Sequence, residues 1–197
     1  MAPPALAAGK KNARRRHAWI VFEDESGVSQ QPVVRRTWAP RGQTPVLQHT
    51  GSNWKRLSIA AALAFRWDGR RPRLYFQTQS GTYTDTGLIA FLRTLKRHFR
   101  GQRMVLIWDG LGAHKSRRMR RYLAAQAAWL QVEPLPGYAP ELNPVEPPWG
   151  NLKGRELANL CAPDFATLRP PVHAGCRRIR RQPALARGFL HYAGLAF

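Results

Sequence analysis

Three short segments place acids where an acid can do chemistry. Asp24-Glu25-Ser26-Gly27 closes one apolar run, Trp108-Asp109-Gly110 closes another, and Glu141-Leu142-Asn143-Pro144-Val145-Glu146 opens a helix. One carboxylate from each, brought together, makes the oxygen-donor set that hard divalent cations such as Mg²⁺ require. Two such ions can clamp the attacking and leaving oxygens of a phosphoryl transfer. The pattern predicts phosphodiester chemistry of the nuclease or strand-transfer kind. The competing reading is structural, with Asp109 a turn residue before Gly110 and Glu146 a first-turn acid complementing a helix dipole.

These acids need a scaffold. His17 to Glu23 is a short apolar run suited to a first strand, after a basic leader expected to be loose. Segments at Val33 to Trp38, Arg56 to Phe65 and Arg73 to Thr78, separated by Gly- and Pro-bearing turns, predict an antiparallel meander. Ala60 to Ala64 suits a helix by propensity, but its length and bounding turns favour a strand. Leu88, Ile89, Phe91, Leu92 and Leu95 recur at helical spacing over Asp85 to about Phe99, with Gly101 as a cap. Met104 to Trp108 predicts a strand, Ser116 to about Ala128 a basic helix, Leu130 to Leu135 a strand, and Pro144 to about Asn159 a helix. The tail from Phe165 to His191 is expected to be helical and interrupted at Pro170, Pro171 and Pro183. This order predicts a mixed α/β sheet flanked by helices, with Asp24 and Asp109 in one crevice if their strands are neighbours. Adjacent strand residues point to opposite faces, so Asp24 and Glu25 are not expected to ligate together.

Charge narrows the partner. Thirty-two Lys and Arg oppose 11 Asp and Glu, a formal net charge of +21 that attracts polyanions, nucleic acid first. The basic clusters at Lys10 to Arg16, Lys115 to Arg121 and Arg177 to Arg181 are candidate phosphate contacts. Two cysteines, Cys161 and Cys176, without paired spacing, indicate neither a disulfide framework nor a zinc site. No apolar run approaches the roughly 20 residues of a membrane span. A cytoplasmic, nucleoid-associated protein without a membrane partner is expected.

The stretches FEDESGVSQQPVVRRTWAPRGQTP, GSNWKRLSIAAALA, VLIWDGLGAHKS and LPGYAPELNPVEPPWGNLK closely resemble the catalytic domain of IS630-family transposases, within the IS630/Tc1/mariner superfamily. The resemblance implies a ribonuclease-H-like (retroviral-integrase-like) fold and a catalytic, metal-binding triad at Asp24, Asp109 and Glu146, holding two Mg²⁺ or Mn²⁺ ions. His114 and Asn143 match the same motifs as candidates to orient a ligand or position DNA. Lys55, Arg56, Lys115, Arg117, Arg118 and Arg121 are candidate contacts to DNA phosphates. The expected domain plan is a leader at 1–16, a catalytic domain at 17–160 and a basic helical extension of it at 161–197. The family further implies cut-and-paste transposition of insertion-sequence ends, a TA target, double-stranded DNA as partner and a homo-oligomeric active complex.

Two departures accompany the resemblance. Family members carry an amino-terminal helix-turn-helix region, and only a short leader precedes the first strand, which points to a separate helix-turn-helix partner chain. Pro147-Pro148 stands where the family has an aromatic-rich stretch, so the angle at which Glu146 enters the site is in question. The alternatives are a catalytically inactive DNA-binding remnant of a transposase and, on charge alone, a structural RNA-binding protein.

Overall fold

A computed structural model of the chain describes residues 4–48, 56–137 and 139–195. Five strands form one sheet: β1 (Trp19–Val28), β2 (Leu57–Phe65), β3 (Arg73–Ser80), β4 (Met104–Trp108) and β5 (Leu130–Pro134), in spatial order β3-β2-β1-β4-β5. The first three run as an antiparallel meander, while β4 and β5 lie parallel to β1. Helices α1 (Pro4–Arg16), α2 (Asp85–His98), α3 (Arg117–Ala125), α4 (Glu146–Arg155), α5 (Phe165–Arg180) and α6 (Pro183–Tyr192) cover it. Among the described residues no helix is long and apolar enough to cross a membrane.

Strand alternation divides the core into two layers. Trp19 and Val21 of β1, with Ala60, Ala62 and Ala64 of β2, face α2 and α3, where Leu88, Phe91, Leu92 and Met119 pack on them. Ile20 and Phe22, with Ile59, Leu63 and Phe65, face α4, α5 and α6 through Trp149, Leu152, Val172 and Phe189. Every residue of β2 is buried, which explains why an Ala-rich run is a strand here: burial on both faces overrides helix propensity.

Four expectations are corrected. Val33 to Trp38 is not a strand; it makes one isolated bridge, Val33 to Ala158, and leaves Val34 and Trp38 exposed, so its apolar residues have no sheet face to enter. The leader is helical. Ala13 of α1 is buried, and Asn12 and Arg16 both donate to Gln131 Oε1 on β5, at 2.6 and 2.7 Å. α5 runs through Pro170 and Pro171, because Leu168, Val172, Cys176 and Ile179 bury a continuous stripe that outweighs the two lost backbone donors; the break falls at Pro183. β1 continues past Asp24 to Val28, while its pairing with β4 stops at Phe22 and Ile107. Asp24 therefore lies inside a strand, just beyond the last rung shared with β4.

The α4–α5 contact tolerates no side chain at Gly175. A Cβ there would sit 2.8 Å from Glu156 Oε2 and press on Leu152, and Glu156 is held by Arg178 at 2.5 and 2.9 Å. Gly175→Ala is expected to lower stability by about 1–3 kcal/mol, as overpacked cores do. Urea unfolding checks this against Gly188→Ala, which meets nothing within 4 Å and should gain up to about 1 kcal/mol of helix propensity.

Candidate active site

Asp24 points to the α4 face of β1, Asp109 follows the last residue of β4, and Glu146 is the first residue of α4. All three line one crevice of about 440 Å³, together with Lys115 and Asn143. It opens at the carboxyl ends of the parallel pair β1 and β4, where departing chains leave room. Pro147 and Pro148 occupy the first turn of α4, where a missing N–H costs no intrahelical bond, so they do not break the helix that presents Glu146.

Each acid is held differently. Asp24 is buried and its Oδ2 accepts from Trp149 Nε1 at 2.7 Å. Burial pushes its pKa up to about 7, against the help of that hydrogen bond, and the nearby Glu146, Glu25 and Asp109 charges add to the rise. Glu146 is raised as well, by burial, with Lys153 opposing and Asp109 reinforcing. Asp109 goes the other way: a hydrogen bond from His114, partly offset by burial, and one from Leu111 N–H hold it below the usual carboxylate range. Both contacts fall on Oδ1, at 3.0 and 2.9 Å.

The two motif-matched residues, His114 and Asn143, lie against the segments that carry the acids. His114 is buried and stacked on Trp108, with centroids 3.9 Å apart and planes 7° from parallel. Its Nδ1 faces both the carboxylate and the carbonyl of Asp109, and its Nε2 faces Glu25 Oε1 at 3.3 Å. Burial alone would lower the His114 pKa, but the Asp109 and Glu25 hydrogen bonds and the Glu23 and Glu25 charges lift it to about 10. Asn143 donates to the Glu23 carbonyl at 3.3 Å and accepts from Val145 N–H at 3.2 Å, tying the turn before Glu146 to β1. Lys153 donates to Ser26 Oγ at 3.0 Å, a second tie between α4 and β1.

Of the candidate phosphate contacts, Lys115 reaches the crevice. Arg56 immediately precedes β2 with its side chain beside Gly27, and Arg117, Arg118 and Arg121 are exposed on α3, with Arg118 bonded to the Thr86 hydroxyl. Lys55 lies outside the described residues. Sequence reasoning missed Glu23, Trp149 and a basic hollow. Glu23 was detectable as an acid in register with Val21 and Trp19 on a buried strand face. The hollow, about 530 Å³, gathers His17, Arg66, Arg71, Arg73, His98 and Arg100 at the opposite end of β1; these come from five separate elements and turns, so no local pattern announces it.

The carboxylate crevice on a mixed sheet defines the class. The chain matches the family described as DDE superfamily endonuclease over residues 19–169, and it belongs to that family. Its fold is the ribonuclease-H-like fold of solved mariner transposases. The catalytic domain of Mos1 mariner transposase aligns at TM-score 0.55 with 15% identity, covering 98% of this chain and 92% of that one. The Mos1 strand transfer complex aligns at 0.57 with 17% identity, and the Mos1 paired end complex with Mn at 0.59 with 16%. Each covers 98% of this chain, which spans about three fifths of those transposase chains, 60% and 61%. A simian T-cell lymphotropic virus intasome in complex with a PP2A regulatory subunit aligns at 0.52 with 12% identity, over 81% of this chain and 47% of that one. No curated protein matches the sequence.

Proposed function

We propose that this chain is the catalytic domain of a DNA transposase that cleaves phosphodiesters at insertion-sequence ends and joins the freed 3′ ends to target DNA. The observation that carries the reading is the meeting of Asp24, Asp109 and Glu146 in one crevice from three distant parts of the sequence. The donor set fits Mg²⁺ or Mn²⁺. All three donors are carboxylates, and burial, with neighbouring acids adding to it, raises the pKa of Asp24 and of Glu146. Two ions are proposed there, held by these three residues; when bound, such ions activate water and neutralise charge developing at phosphorus.

The protein's own groups do the rest. His114 fixes the Asp109 carboxylate, Trp149 fixes that of Asp24, and Asn143 fixes the turn that delivers Glu146. Lys115 on the crevice wall meets a DNA phosphate. The cut-and-paste outcome, a TA target favoured because such steps kink easily, and a homo-oligomeric complex belong to the same proposal. The test is Mn²⁺-dependent nicking of plasmid DNA at low salt beside Asp109→Asn. Nicking confined to the wild type supports the reading, and nicking by neither with DNA binding intact points to a missing partner or to an inactive DNA-binding remnant.

The basic hollow is assigned to DNA as well. Arg71, Arg73 and Arg100 are exposed there, and Arg73 also lies 5.1 Å above the Trp19 ring. Replacing the three by Ala is expected to shallow the slope of log affinity against log salt by about 0.9 for each DNA phosphate that is no longer neutralised. Fluorescence anisotropy with duplex DNA at several salt concentrations measures it, and an unchanged slope would remove the hollow from the DNA path.

A further inference from the structure

On the face of β1 turned away from the crevice, a different donor set converges. Glu23 is 1% exposed, and neither of its carboxyl oxygens has a hydrogen-bond partner among the described residues. An orphaned buried carboxyl is costly unless something offsets it, and such a group in a native fold calls for a water, an ion or a functional reason. One oxygen each from Glu23 and Glu25 and a ring nitrogen of His114 lie within 4.8 Å of one another.

We propose that Glu23, Glu25 and His114 form a second metal site, separate from the Asp24–Asp109–Glu146 crevice, for one first-row dication with affinity for imidazole, Zn²⁺ or Mn²⁺. Three features carry it. The spacing is that of donors around an ion. His114 Nε2 stands 3.3 Å from Glu25 Oε1 and 3.7 Å from Glu23 Oε2, long for hydrogen bonds, whereas metal bonds of about 2.1 Å in tetrahedral array set ligands about 3.4 Å apart. The outer shell is built: His114 turns its other nitrogen to the Asp109 carboxylate at 3.0 Å, the carboxylate–histidine–metal arrangement that fixes the ring's tautomer and direction, and Trp108 stacks on the ring to lock its plane. The site also has a mouth, because the Glu25 side chain is 13% exposed, enough for an ion to arrive and for water to complete the shell. Two carboxylates and an imidazole suit Zn²⁺ or Mn²⁺ better than Mg²⁺, which favours all-oxygen shells like that of the crevice. On binding, the ion takes the place of the proton on Nε2, and Nδ1 keeps its own.

The site stands on its own geometry and does not require the crevice to be catalytic. It is tested in the untagged, chelator-stripped full chain carrying Asp24→Asn and Glu146→Gln, which disable the crevice. Equilibrium dialysis against Zn²⁺ in the presence of millimolar Mg²⁺, with metal counted per chain, is expected to show one bound ion. Adding Glu23→Gln or, separately, the more exposed Glu25→Gln should weaken it at least tenfold, with folding checked by circular dichroism. No bound Zn²⁺ in the crevice-disabled chain, or binding indifferent to both glutamate substitutions, would overturn the site. Because the background already lacks two crevice acids, neither result depends on whether the wild type nicks DNA.

Discussion

Asp109→Asn is expected to abolish Mn²⁺-dependent plasmid nicking while leaving the fold close to its original stability. The amide keeps the shape of the carboxylate and still accepts from Leu111 N–H, the contact made by Oδ1 at 2.9 Å. It loses the negative charge that a hard cation requires of its ligand. His114 and Leu111 both engage Oδ1, so among the described residues Oδ2 is left for the crevice, and that is the atom the substitution converts or neutralises. A loss of about 4 kcal/mol in transition-state stabilisation is roughly a thousandfold in rate. The stability cost is smaller, on the order of 1 kcal/mol, because a charge-assisted contact to His114 becomes a neutral one. Nicking assays at matched concentration, paired with urea unfolding, separate the two. Activity retained within tenfold would remove Asp109 from the chemistry, and a collapse of the fold would make it structural.

How much of this was legible in the sequence differs by element. β4 is legible to the residue, Met104 to Trp108, because five apolar residues between a Gly-bearing turn and Asp-Gly leave little alternative. α2 is equally clear from its apolar stripe. The segment Val33 to Trp38 misleads because strand-like composition says nothing of whether a partner edge is available, and β2 takes the whole edge of β1 instead. α5 misleads because two prolines outweigh everything local, whereas its helix is held by packing on the sheet. At the site, Asp109 and Glu146 are visible as strand and helix termini, whereas Asp24, expected to close its strand, lies within it; alternation correctly sends Glu25 to the other face from Asp24. What stays hidden are relations across the fold. That Asn143 ties to the Glu23 carbonyl, that Trp149 serves Asp24, and that Glu23 and Glu25 share His114 depend on contacts between residues 89 to 125 positions apart. Such pairs leave no periodic trace in one sequence.

Asp24→Asn should do the opposite of what is usual for a buried substitution: in the metal-free protein it should stabilise. The Asp24 carboxyl has its folded pKa raised from 3.8 to about 7, mainly by burial, so ionising it works against the fold. Between about pH 4 and pH 7 the folded chain holds a proton that the unfolded chain has released. Stability contributed by that proton is present at low pH and lost as pH rises through about 7, above which the destabilisation is complete. Three pKa units correspond to a ceiling of about 4 kcal/mol, and a gain of roughly 2 kcal/mol for the amide at pH 8 is a reasonable expectation after relaxation. The amide oxygen can still accept from Trp149 Nε1, so the substitution orphans no donor on that side. Urea unfolding in chelator should show Asn above Asp at pH 8, with the difference shrinking toward pH 4. Adding Mn²⁺ should reverse the order, because an ion at 100 times its dissociation constant contributes about 2.7 kcal/mol to the chain that binds it and less to the one that has lost a ligand. A destabilised variant at pH 8 would mean that the Asp24 charge is satisfied within the fold. Stabilisation without the Mn²⁺ reversal would mean that the crevice gathers three acids for something other than a cation.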